Sequence, residues 1–143
     1  MSLFHFNWNE KAHRLLLPSL AEILEKHGPG WVQRVSMQDP SFILLFALSK
    51  KYIPESVAMC SIEAFGSDLH CTIHAIESKK SEFKKEVVEY IESLRSRDER
   101  LKTVSFTTSM GDLKYFTKNL GFTLAGITLV KGITSTDPEE RGT

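Results

Sequence analysis

The chain has 143 residues, 41% of them hydrophobic and 25% charged, with 18 Lys and Arg balanced by 18 Asp and Glu. That length predicts one domain, able to bury roughly two-thirds of the surface its unfolded chain would expose. The even charge argues against a polybasic nucleic-acid binder or membrane module, and no apolar run approaches the ~18 residues of a membrane span.

Leu3–Asn7 alternates apolar and polar residues, predicting a short first strand. Asn7 or Asn9 can cap the helix that follows, where Ala12, Leu15, Leu16, Leu20, Ile23 and Leu24 recur at helical spacing. Pro18 should break or kink that helix, giving two helical pieces, and His27-Gly28-Pro29-Gly30 should stop it. Trp31–Ser41 reads as a loop with a short extended piece. Phe42–Leu48 is a continuous apolar run, expected as a buried strand, and Lys50–Glu55 with Pro54 makes the next turn.

Ser56–Ala64 and Asp68–Ile76 form a hairpin in which Gly66-Ser67 suits a type II′ turn. The register this turn imposes puts Ala64 opposite Leu69, Ile62 opposite Cys71 and Cys60 opposite Ile73 on an apolar side. Glu63 then faces His70, Ser61 faces Thr72 and Met59 faces His74 on a polar side. Cys60 and Cys71 are too few for a disulfide framework and read as free, core-facing thiols. With no basic-then-apolar signal at the N-terminus, a cytoplasmic protein is expected.

Ser81–Arg97 is an amphipathic helix with Phe83, Val87, Tyr90, Ile91 and Leu94 inside. A charged link, Arg95–Arg100, leads to a β-branched strand at Thr103–Thr107. Ser109 with Asp112 can form a capping box for a compact helix carrying Leu113, Phe116 and Leu120. Gly121 should end that helix in a left-handed conformation. Phe122–Ala125 and Ile127–Lys131 are expected as two further strands, and Thr134–Thr143 as a frayed tail.

Strand, two helical pieces, three strands, helix, strand, helix and two strands, with a helix exit at Leu120-Gly121-Phe122, resembles the GNAT acyltransferases over residues 3–133. The resemblance implies a single α/β domain (1–133), a mixed, mostly antiparallel sheet of about seven strands flanked by helices. Within that superfamily the chain looks like a divergent phage-type branch, the small GNAT-like proteins known as internal virion protein A in short-tailed phages. The lysine-rich, glycine-poor entry to the central helix (Lys79–Lys85), the short charged link and the ending Lys118-Asn119-Leu120-Gly121 carry that likeness. It implies a location in the host cytoplasm or the virion.

The resemblance implies acetyl-CoA, or another acyl-CoA, as cofactor. Family members cradle its pyrophosphate on a glycine loop before the central helix. Here Glu77–Lys85 fills that place and holds no glycine, arginine or glutamine. Lys79, Lys80 and Lys84, with Ser81 at the helix start, are the candidates to hold phosphates instead, as point charges. The bland alternative is a solvated helix face, because Glu82 and Glu86 are interleaved with the lysines.

The family's helical tyrosine, the usual general acid, corresponds by counting to Thr117. Tyr115 lies two residues away and is the remaining candidate, with partly exposed packing as the alternative. A general base would come from the polar side of the hairpin, Glu63, His70, His74 or Glu77, with His74 best placed near the C-terminal end of its strand. No metal-ligand spacing is present. Two functions follow: an N-acyltransferase acting on an amine acceptor, or a GNAT fold without the chemistry that serves as a phage structural or host-interaction protein with a protein partner.

Overall fold

The computed structural model describes residues 3–27, 30–106 and 110–123, with side chains from 114 onward in the last stretch. Five strands form one sheet in the order β1-β2-β3-β4-β5. They are β1 Leu3–His5, β2 Phe42–Leu48, β3 Pro54–Phe65, β4 Asp68–Glu77 and β5 Leu101–Phe106. The first four pair antiparallel, and β5 joins β4 in parallel. A parallel partner needs a crossover, supplied here by helix α3, Ser81–Leu94. The other helices are α1 Lys11–Glu25, α2 Trp31–Ser36 and α4 Met110–Asn119. Of the seven expected strands, the last two fall on residues 122–131. Phe122 and Thr123 are not in a strand, and the rest of that stretch, like the tail at 134–143, lies outside the described residues.

The sheet is a central layer with a core on each face. Successive β2 residues point to opposite sides, so Phe42, Leu44 and Phe46 meet Leu20 and Leu24 of α1 and Val35 of α2. Ile43, Leu45 and Ala47 face the other way, with Cys60, Cys71 and Ile73, onto Phe83, Val87 and Ile91 of α3 and Phe116 of α4. Two-sided burial explains why Phe42–Leu48 is apolar throughout instead of alternating.

Four expectations about the first helices need correcting. Pro18 does not break α1, which runs continuously through it. The proline lies on the exposed side, where water can satisfy the Arg14 carbonyl that its missing N–H leaves unpaired. α1 ends at Glu25, and Gly30 at φ +95° caps a second helix, Trp31–Ser36, where a loop was expected. Val35 of that helix is buried and the Trp31 ring stacks on Phe42 at 5.5 Å, so tertiary packing recruits a stretch with little intrinsic helical signal. Leu15, assigned to the apolar face, is 70% exposed. Asn7 does not cap α1; its Oδ1 accepts the Asn9 N–H at 2.9 Å in a turn before the helix, and the cap position is Glu10.

The hairpin follows the expected register from Phe65↔Asp68 to Cys60↔Ile73, with Gly66 at φ +62° in its turn. Beyond it the pairing slips: Met59 lies opposite Ala75, so His74 is the extra residue of a β-bulge and not the partner of Met59. A second bulge lies in β3, where Ala47↔Ser56 is followed by Leu48↔Pro54 and Glu55 is skipped. At the far end of the molecule Gly121 takes φ +74° after α4. The Phe122 N–H reaches back to the Phe116 carbonyl at 3.2 Å and its ring packs on Phe116 at 5.1 Å, the helix exit anticipated from Leu120-Gly121-Phe122. Ser109 lies outside the described residues, so the capping box does too.

Candidate functional site

β4 and β5 pair from Leu69↔Leu101 to Ile73↔Phe106 and no further among the described residues. The last four residues of β4, His74–Glu77, therefore run past this pairing while still bound to β3 through Ala75, Ile76 and Glu77. Among the described residues that edge of His74–Glu77 has no β5 partner, immediately before the loop Ser78–Lys80 and the start of α3.

The bulge decides which side chains share a face there. Strict alternation would put His74 and Glu77 on opposite sides of the sheet. With His74 as the extra residue, Ile73 and Ile76 pack in the α3 core while Ala75 packs in the α1 core. His74 contacts Trp31 of α2, and Glu77 contacts the end of α1. His74 Nε2 is 2.7 Å from the hydroxyl of buried Ser61, and its ring lies 5.1 Å from that of Trp31. Burial, and next the Arg34 guanidinium, pull its pKa below the ordinary histidine value, against a smaller opposing pull from Glu63. Glu77 accepts ion pairs from Lys26 at 3.6 Å and His27 at 3.2 Å. It ties the end of β4 to the end of α1.

The neighbouring polar pair also differs from its sequence pattern. His70 lies opposite Glu63 as expected, but its ring nitrogens go to hydroxyls of β5: Nδ1 to Thr103, and Nε2 to Ser105 at 2.8 Å. This imidazole laces β4 to β5 just before their pairing ends. Cys60 and Cys71 are free and fully buried, and the hydrogen bond to the Cys71 sulfur, with burial second, pushes the Cys60 thiol up, away from the reactive thiolate.

The loop after β4 is built from hydroxyls where the sequence lacks glycines. Ser78 Oγ accepts the Lys80 N–H at 3.0 Å and bonds the Ser56 hydroxyl at 2.7 Å. Lys80 stands at the cap of α3 with extended backbone and gives the first turn no side-chain acceptor. Its ammonium donates to Glu55 at 2.9 Å. Lys79 and Ser81 are exposed, and Lys84 is half-buried one turn into the helix. Tyr115, from α4, donates its hydroxyl to the Ser81 carbonyl at 3.1 Å, so it stands against the start of α3. Thr117 bonds the Lys114 carbonyl at 3.2 Å.

The structure thus brings Lys79, Lys80, Ser81 and Tyr115 together at the start of α3, with His74 and Glu77 on the preceding four residues of β4. Sequence reasoning missed Glu55, Ser56, Ser78 and Ser61, which hold this end of the sheet together. Pro54, which fits only the start or an irregularity of a strand, was the one local hint of the bulge beside it. A separate cleft of roughly 450 Å³, lined by Trp8, Arg34, Asp39 and Phe42 among others, opens beside the start of β2, at the opposite end of that strand from Leu48. Among the described residues no group of three His, Cys, Asp or Glu side chains could hold a metal ion, and no helix is long and apolar enough to cross a membrane.

No protein-family model matches the chain, and no curated protein sequence does. Its fold, however, is shared with solved acetyltransferases. An aminoglycoside N-acetyltransferase, AAC(6')-Iy, solved in complex with CoA, superimposes with a TM-score of 0.66 at 13% identity, covering 92% of this chain and 98% of its own. A Trypanosoma brucei acetyltransferase gives a TM-score of 0.61 at 15% identity, over 92% and 99% of the two chains. A Thermus thermophilus protein gives 0.66 at 16% identity, over 96% and 100%. At these identities the likeness is one of fold, and it establishes a GNAT-like α/β domain with a mixed sheet of five described strands and four helices.

Proposed function

We propose that this protein is an acyl-CoA-dependent N-acyltransferase acting on an amine, with acetyl-CoA as the simplest donor. The observation that supports the reading is the pair of exposed lysines, Lys79 and Lys80, at the start of α3, beyond the last β4–β5 pair among the described residues, Ile73↔Phe106. AAC(6')-Iy, which shares the fold, is solved with CoA and with a bisubstrate analogue joining CoA to an aminoglycoside derivative. The residues here fit a diphosphate held by Lys79 and Lys80, with Ser81 and Lys84 on the first turn of α3, where the helix dipole favours negative charge. They do not reproduce a glycine cradle: the Lys80 N–H is already bonded to Ser78 and the Phe83 N–H to the Lys80 carbonyl.

When bound, acyl-CoA supplies an activated acyl group, whose C–S bond breaks as the C–N bond to the amine forms. The edge of β4 beyond Ile73, which has no β5 partner among the described residues, would offer backbone N–H groups to the acyl carbonyl. His74 is the proposed base that takes the amine proton. Its pKa is below the usual histidine value, so it is neutral and able to accept near pH 7. Glu77 keeps the α1 end in place through Lys26 and His27. Tyr115 is the proposed proton donor to the departing thiolate, a role in which its hydroxyl exchanges the Ser81 carbonyl for sulfur.

A second reading has its own support. The absent glycines, the bonded Tyr115 hydroxyl and the ion-paired Glu77 suit a fold kept without chemistry, as in the phage structural or host-interaction role that the phage-type resemblance implies. Calorimetric titration with acetyl-CoA and CoA separates the two. Micromolar binding that weakens about tenfold or more when Lys79 and Lys80 are both changed to alanine supports the enzyme. Absence of heat at millimolar ligand leaves the second reading.

A further inference from the structure

Glu55 holds an irregular place in the sheet. As the extra residue of the β3 bulge it leaves the strand's alternation, between buried Pro54 and a Ser56 that is 1% exposed. Bulges re-aim side chains, and this one sends a carboxylate to Lys80 Nζ at 2.9 Å. The adjacent Ser56 hydroxyl meets Ser78, and Ser78 accepts the Lys80 N–H. Two consecutive residues of β3 therefore grip the loop that leads into α3, one through its hydroxyl and one through its charge.

A lysine at a helix start is electrostatically misplaced unless an anion stands beside it. Glu55 is that anion. We propose that it is an internal competitor at the proposed phosphate site: its carboxylate holds the Lys80 ammonium where a diphosphate oxygen takes it, so acyl-CoA binds by exchange with Glu55. This inference rests on the acyl-CoA reading above. The ion pair is partly exposed on both sides, 54% for Lys80 and 30% for Glu55, and such pairs are weak. A multiply charged diphosphate, sharing Lys80 with the neighbouring Lys79, displaces a single carboxylate readily. A free monocarboxylate, with one charge like Glu55 but no tether, does not. Glu55 thereby sets a charge threshold that selects diphosphates over simple carboxylate anions.

The test is calorimetric titration of CoA into the unaltered protein, Glu55→Gln, Lys80→Gln and the double variant. Glu55→Gln should bind CoA about three- to tenfold more tightly, and Lys80→Gln more weakly. In the Lys80→Gln background the Glu55→Gln change should alter affinity by less than about twofold, because the two residues act on one contact. An equal gain in both backgrounds would show a general charge effect and overturn the proposal. So would weaker binding by Glu55→Gln, which would make Glu55 a positioner of Lys80, or unchanged binding. Should neither the unaltered protein nor Glu55→Gln bind CoA at millimolar concentration, the acyl-CoA reading falls, and the competitor role with it. Matching thermal melts for Glu55→Gln and the unaltered protein exclude a folding defect as the cause of any change.

Discussion

At the scale of single residues, His5 and His74 both shift in the direction that weakens the fold as pH falls below neutrality. His5, at the end of β1, bonds Tyr90 at 2.6 Å, and burial with Arg97 and His13 nearby lowers its pKa. His74 is lowered in the same direction by burial and Arg34. Both folded values lie below the ordinary histidine value of about 6.5, so over that window the unfolded chain binds protons that the folded chain does not. Stability is at its full value above about pH 6.5 and falls as pH drops toward the folded values. Urea midpoints measured between about pH 7.5 and about pH 5 should decline, and the decline should flatten in the double variant His5→Gln, His74→Gln. An undiminished slope in that variant would assign the acid sensitivity to other groups. Neither shift was legible in the sequence, because neutral histidines on strands look alike until their neighbours are known. Ser61, which meets His74, lies 13 positions away in the chain.

At the scale of elements, α1 shows how far a local rule reaches. Pro18 removes a backbone donor and crowds the preceding turn, which is why the sequence predicts a break there. Leu20 and Leu24, both fully buried, hold the helix to the sheet on the other side of that break, and their burial outweighs the loss. Because the proline is exposed and fills no core position, Pro18→Ala should stabilise the protein, by about 1–3 kcal/mol. A raised chemical-denaturation midpoint with an unchanged slope would confirm it; a lowered midpoint would mean that the proline supports a bend which packing requires. The hairpin is the opposite case. A two-residue turn with glycine at its first central position dictates its own register, and the expected pairs were found up to the bulge at His74.

At the scale of the whole molecule, one sheet separates two apolar cores that share strands and little else. Leu20 lies in the α1–α2 core and Ile91 in the α3 core, both with at most 1% exposure. Leu20→Ala and Ile91→Ala should each cost about 2–5 kcal/mol, and the two losses should add to within about half a kcal/mol. Thermal or urea unfolding of the single and double variants measures this. Marked non-additivity would mean that strain passes through the sheet from one core to the other. The same layered plan positions the candidate site: a crossover helix must begin where β4 ends, and the parallel strand it delivers pairs with β4 as far as Ile73 among the described residues.

The sequence by itself determined the elements whose evidence is local: the apolar β2, the hairpin and its turn, the amphipathic α3 and the glycine exit after α4. Each depends on periodicity or on one residue's conformational preference, and neither requires a distant partner. Tertiary structure decided the continuity of α1, the existence of α2 and both bulges. A bulge keeps the residue types of the strand and changes only which partner each one meets, so composition cannot reveal it. Yet the bulges place His74 on the same face as Glu77 and aim Glu55 at Lys80. The candidate site is therefore written in the pairing of strands more than in any run of residues.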